Sequence, residues 1–156
     1  MENSVIIRAF RDPDWPAICA IHNAARKVEL RAVRLPDHAY LPLQKSHIAE
    51  GFLSNRIIVA ECPINNEIKG FAAFRPRELT WLYVAPNHFG EGVGQRLISY
   101  ILETTERPLD VQMLDGNKRA QRLYENMGFR PLKRTRGKIR GQRPVSAIGL
   151  TLRLTD

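Results

Sequence analysis

Three glycines fall within five positions of VAPNHFGEGVGQRLISYIL, at Gly90, Gly92 and Gly94. They stand at the mouth of an amphipathic run in which Val93, Leu97, Ile98, Ile101 and Leu102 mark one helical face. Bare backbone at a helix start leaves unpaired N–H groups at the positive end of the helix, worth about half an elementary charge, and such a concave cluster binds phosphate oxygens. Side chains at these positions would block close approach of a diphosphate. The spacing excludes two rivals: a dinucleotide fingerprint needs a third glycine where Gln95 stands, and a P-loop needs Lys followed by Ser or Thr where the chain has Gln95, Arg96 and Leu97. On the glycines alone, a turn serving tight packing stays open beside the phosphate nest. In GNKRAQRLYENMGF, Asn117 and Tyr124 are seven residues apart, two helical turns, so both can face the same neighbouring element. Alone, Tyr124 also reads as a packed core aromatic.

The elements that must position these residues follow from periodicity and punctuation. SVIIRAF reads as a first strand, and Asp12 precedes PDWPAICAIHNAARK, a helix with Trp15, Ile18, Ile21 and Ala25 on one face behind a capping acid. Residues 28–42 are irregular, and LQKSHIAEGFLSN offers a second helix through Ile48, Phe52 and Leu53. RIIVAE and IKGFAAF flank CPINNE as a hairpin, and LTWLYVA follows until Pro86 stops it. After the glycine stretch and its helix come a strand, LDVQML, and a short helix with Asn117 as N-cap and Gly128 as its stop. VSAIGLTLRL alternates at period two. The order β-α-α-β-β-β-α-β-α-β-β describes an α/β fold with a mixed, mostly antiparallel central sheet flanked by helices, and the 156 residues suit a single domain, 1–156.

Charge is unevenly spread. The net charge is +8, and Arg130, Lys133, Arg134, Arg136, Lys138, Arg140 and Arg143 supply seven positive charges with no acid between them. An anionic partner for 130–143 is one reading and a solvated hairpin turning at Gly137 and Gly141 the other. No apolar window approaches the ~18 residues a membrane span requires, and the opening lacks the basic, apolar and small-residue order of a secretory leader, so a cytoplasmic protein without a membrane partner is expected. Cys19 and Cys62 read as buried free thiols. The four histidines are scattered, and no metal site is expected. A homodimer is neither required nor excluded.

Taken together, LYVAPNHFGEGVGQRL and GNKRAQRLYENMGF resemble the GNAT superfamily of N-acyltransferases, which use acetyl-CoA or a related acyl-CoA. The resemblance covers nearly the entire chain in element order, including IRAFRDPDWPAICAIHN, and its specific part lies within residues 78 to 129. It implies that Leu82, Tyr83 and Val84 offer main chain to the pantetheine arm. It also implies that Gly90, Glu91, Gly92, Val93, Gly94 and Gln95 cradle the CoA pyrophosphate, that Asn117 contacts the cofactor, and that Tyr124 sits near the thioester sulfur. The family usually has Arg or Gln where this chain has Phe89, so the backbone nest stays while a side-chain contribution is lost.

The implied reaction is direct attack of an acceptor amine on the acetyl-CoA thioester. For a lysine-like amine of pKa ~10.4, neutrality at pH 7 costs about 4 to 5 kcal/mol, which makes a proton acceptor useful. Tyr124 can protonate the leaving thiolate. Glu78, near the start of the strand where many relatives carry a glutamate, is the expected base through water, with an exposed strand-end acid as the other reading. Some relatives use an acid five residues before the motif asparagine, where this chain has Gln112. Two other classes stay open: a non-catalytic acyl-CoA-binding regulatory module, and a nucleic-acid-associated protein using 130–143. The last merges with the first if the acceptor is acidic or carried on nucleic acid.

Overall fold

Alternation along the apolar runs sends successive side chains to opposite faces, and helices cover both. The computed structural model describes residues 4–156. Its strands are β1 (Ile6–Ala9), β2 (Arg56–Glu61), β3 (Ile68–Arg75), β4 (Glu78–Val84), β5 (Leu109–Leu114), β6 (Arg130–Ile139) and β7 (Val145–Leu154), joined in one sheet of order β1-β2-β3-β4-β5-β7-β6. Every pairing is antiparallel except β4 with β5. The mixed, mostly antiparallel sheet and the order of its elements agree with the sequence reading.

On one face, Ile58, Ala60, Ala72, Phe74 and Leu79 pack under α3 (Val93–Thr104), whose Val93, Leu97, Ile98 and Ile101 are buried as the periodicity requires. The short helix α4 (Lys118–Asn126) adds Tyr124 to this cluster. On the other face, Ile57, Val59, Phe71 and Ala73 meet Ile18, Cys19 and Ile21 of α1 (Trp15–Ala32). Cys19 and Cys62 are free and buried.

Four local expectations change. Asp14, not Asp12, stands at the start of α1; its carboxylate receives the Arg8 guanidinium at 2.8 and 2.9 Å and the Arg11 N–H at 2.8 Å. The helix runs past Lys27 to Ala32 and stops where Arg34 takes a left-handed φ of 59°, letting the Leu35 N–H reach back to the Leu30 carbonyl at 3.0 Å. That turn normally takes glycine, so its arginine hid the stop. The expected second helix is only one turn, α2 (Leu43–Ser46), with Phe52 buried in a separate turn while Ile48 and Leu53 face solvent. Gly137 lies within β6 opposite Ala147 and is not a turn. Only Gly141 sits at the hairpin end, where a Cβ would come within 2.5 Å of the His38 carbonyl oxygen.

Candidate active site

Parallel pairing of β4 with β5 holds only at Glu78 with Asp110 and Leu79 with Val111. Immediately beyond, Thr80 is an extra residue: Phe74 of β3 opposes Leu79, and the next residue, Ala73, opposes Trp81. Such a bulge bends its strand. The Thr80 hydroxyl secures it, 2.8 Å from the Ala73 carbonyl oxygen. From Thr80 to Val84 the strand pairs with β3 alone, so the backbone groups on its other edge face a gap. A cavity of about 840 Å³ fills that gap, and Leu82, Tyr83, Val84, Gly90, Gly92, Val93, Gly94, Gln95, Asn117 and Tyr124 all line it.

The three glycines do different work. Gly90 and Gly92 hold φ of 82° and 81°, and a Cβ on either would meet nothing within 4 Å, so the turn needs their left-handed conformation and leaves its backbone uncovered. Gly94 is inside α3, where a Cβ would lie 3.0 Å from Leu123 Cδ2. Its missing side chain lets α3 close on α4, so packing by itself calls for glycine here, while the residue still lines the cavity. Glu91, expected in the cradle with its neighbours, does not line the cavity. Its carboxylate instead takes the buried Lys69 ammonium at 3.1 Å and His88 at 2.9 Å, and His88 reaches Glu67 at 3.0 Å. His88 and Lys69 hold the Glu91 carboxyl below the usual carboxylate range and fasten the turn to β3.

Asn117 caps α4: its Oδ1 accepts from the Ala120 N–H at 3.4 Å, while its Nδ2 donates to Glu29 at 3.3 Å. Two turns on, Tyr124 is buried against Phe129 with ring centroids 5.6 Å apart. Burial, reinforced by Glu29, pushes its hydroxyl above the ordinary tyrosine range, so the proton is retained at neutral pH. The Arg119 guanidinium stacks 4.2 Å over the Phe89 ring, and both line the cavity. A cation from α4 thus sits on the side chain that seemed to remove one from the turn.

Glu78 is not brought to this place. It forms a surface ion pair with Arg75 at 2.8 Å, at the end where β4 and β5 still pair, and lines neither cavity. The carboxylate that does enter is Glu29, on the last turns of α1 with Ala25, Val28 and Ala32. It accepts from Arg26 at 2.6 Å and from the Tyr83 hydroxyl at 3.2 Å. Sequence reading missed it by ending α1 too early; continuing the helical spacing from Ala25 would have placed it on the sheet-facing side.

A second cavity, of about 440 Å³, shares Glu29, Thr80, Trp81, Tyr83, Gln112 and Met113 with the first and extends away from the glycine turn. Its walls include His22, Arg26, Glu50, Lys138 and Arg140. Burial holds His22 below its ordinary pKa, hence neutral, with Nδ1 2.9 Å from Asn23 Oδ1. Crowding at the wall pushes the Glu50 carboxyl up against the pull of Arg26 and Arg140, although much of its side chain faces solvent. Most of the basic run lies in edge strand β6, exposed along nearly its whole length; Lys138 on the strand and Arg140 just past it line the second cavity. Among the described residues no helix is long and apolar enough to cross a membrane, and no group of three or more His, Cys, Asp or Glu is placed to hold a metal ion.

A splayed parallel pair, a glycine turn at its mouth and a tyrosine beside it coincide with a family match. The model of the GNAT acetyltransferase domain fits residues 54–131, half of the chain. The chain belongs to the GNAT acetyltransferase family. Solved GNAT-fold structures resemble it over nearly their whole length. A GCN5-related N-acetyltransferase from Rhodopseudomonas palustris superimposes with a TM-score of 0.73 at 18% identity, covering 100% of this chain and 98% of that one. A ribosomal-protein-alanine N-acetyltransferase from Brucella melitensis gives 0.69 at 21%, covering 97% and 99%. The yncA protein of Salmonella typhimurium, solved with its cofactor acetyl-CoA, gives 0.67 at 19%, covering 97% and 94%. No curated protein sequence matches.

Proposed function

We propose that this GNAT protein transfers an acetyl group from acetyl-CoA to an acceptor amine by direct attack. The observation that carries this reading is that two cavities adjoin at the β4–β5 gap: one has the glycine turn among its walls, the other does not, and they share six wall residues. The first suits an acyl-CoA in its parts. Uncovered backbone at Gly90 and Gly92 suits the pyrophosphate, with Arg119 on Phe89 adding charge, and the unpaired edge of Leu82 to Val84 suits the amide-bearing pantetheine arm. Asn117, its Oδ1 occupied as a cap, keeps its amide at the cavity wall.

The acceptor enters from the second cavity. Its nitrogen attacks the thioester carbonyl carbon, the new C–N bond forms, and the C–S bond breaks to leave a thiolate. Tyr124, still protonated, donates its proton to that sulfur. The proton lost by the amine passes, through water, to Glu29, which replaces Glu78 in the role because Glu29 stands where the cavities meet. The test is acetyl-CoA-dependent CoA release over a panel of amines. Acetyl-CoA that neither raises the melting temperature nor turns over with any amine would refute the reading.

A further inference from the structure

The charges around the second cavity are sorted by depth. At its inner end, against the β4–β5 gap, Glu29 is paired with Arg26 at 2.6 Å and receives the Tyr83 and Asn117 donors. At its exposed wall stand Lys138, near the end of β6, and Arg140, just past it, in a stretch without any acid, opposed by Glu50 alone. Setting aside the Arg26–Glu29 pair, that wall carries two cations against one carboxylate.

The wall is held in place. The Gln142 N–H donates to the His38 carbonyl at 2.7 Å, and Gly141 lies so close to residues 38–39 that a Cβ would come 2.7 Å from the Ala39 Cα. The end of the β6–β7 hairpin is therefore docked on the loop after α1, which fixes the hairpin segment bearing Lys138 and Arg140 at the cavity wall.

Resting on the acyl-transfer reading, we infer that the acceptor is a small primary amine bearing a carboxylate, bound with its amine inward toward Glu29 and its carboxylate outward against Lys138 and Arg140. A volume of about 440 Å³ admits a molecule of amino-acid size. Polarity sets the orientation: an ammonium entering first is drawn to Glu29 and can lose its proton there, while the trailing carboxylate meets the cations. Amines with only positive charge, such as polyamines, must pass both cations and leave neither satisfied, which disfavours them by like-charge repulsion. The other cations of the basic run, Arg130, Lys133, Arg134, Arg136 and Arg143, do not line this cavity and play no part in the inference.

The experiment pairs each acceptor with its uncharged counterpart. CoA release is measured with leucine and leucinamide, glutamate and glutamine 1-amide, and with spermidine, and binding of the corresponding N-acetyl amino acids and their amides to the CoA complex is measured by calorimetry. The carboxylates are expected to exceed their amides by about tenfold in kcat/KM, the worth of one charge-assisted contact of about 1.4 kcal/mol. The double variant K138Q/R140Q should remove that preference by raising KM, while acetyl-CoA still raises its melting temperature as in the wild type. Amides or spermidine matching the carboxylates, or neither turnover nor binding by any carboxylate, would overturn the inference. Failure of acetyl-CoA to protect the wild-type fold would instead strike the acyl-transfer reading.

Discussion

The two cavities that meet behind β4 are built from different materials. The first is lined largely by backbone and apolar side chains, namely the unpaired edge of β4, the left-handed turn at Gly90 and Gly92, and the valines, leucines and alanines of α1, α3 and α4, with a few polar groups such as Glu29, Asn117 and Arg119 among them. The second has more charged and polar side chains in its walls, drawn from α1, the loop after it, β4, β5 and the β6–β7 hairpin. Backbone recognition demands a conformation and leaves most side chains free, whereas side-chain recognition demands particular residues from distant segments. A ligand common to a family can thus be held by the first kind of wall, and a ligand particular to one protein by the second.

The largest expected effect breaks the first wall. Gly92→Glu strains a left-handed position and puts an anion where the pyrophosphate would lie, so saturating acetyl-CoA should no longer shift the melting temperature, as differential scanning fluorimetry would show. Next is Tyr124→Phe, which removes one hydroxyl from a buried ring. A drop in kcat of about 100-fold with little change in acetyl-CoA affinity is expected, because general acid help is worth at least that much. The sign of the pKa shift adds a constraint. Tyr124 is raised, so its proton persists beyond the ordinary tyrosine range, and the wild-type rate should show no alkaline decline below about pH 10.

Glu29→Gln against Glu78→Gln sharpens the junction between the cavities. The first should lower kcat by about tenfold or more, and the second should leave it intact. Gly141→Ala then breaks the second wall alone: displacing the docked hairpin should raise the acceptor KM by several-fold with the acetyl-CoA-induced melting shift preserved. Arg119→Ala is the smallest change. Loss of a cation held on Phe89 should weaken acetyl-CoA by about three- to fivefold in a titration, in line with ~1 kcal/mol for an exposed contact of this kind.

The same contrast explains how much could be read in the sequence. The glycine turn, the Asn117 cap and the Tyr124 position are local spacings, and each lines the first cavity. Element order was equally legible because alternation and helical periodicity are local. The end of α1 was not, since its left-handed stop is Arg34 and not a glycine, and losing that turn concealed Glu29. Ile48 and Leu53 mimic a helical face while pointing to solvent. Gly94 looked like a third bare position, and only the approach of Leu123 shows that it serves packing. Glu78 sits on the correct strand but before the Thr80 bulge, on the paired side of the gap. The second wall joins residues 22 to 50 with residues 135 to 151, a convergence that no spacing encodes.

The division of labour between the walls is tested most directly by titrating acetyl-CoA into the isotopically labelled protein and following its backbone amide resonances. A cofactor lodged along the β4 edge should perturb Leu82 to Val84, Gly90 to Gln95 and Asn117 to Tyr124, and leave Lys138 and Arg140 unmoved. Perturbations centred on the β6–β7 hairpin, with the glycine turn silent, would contradict it.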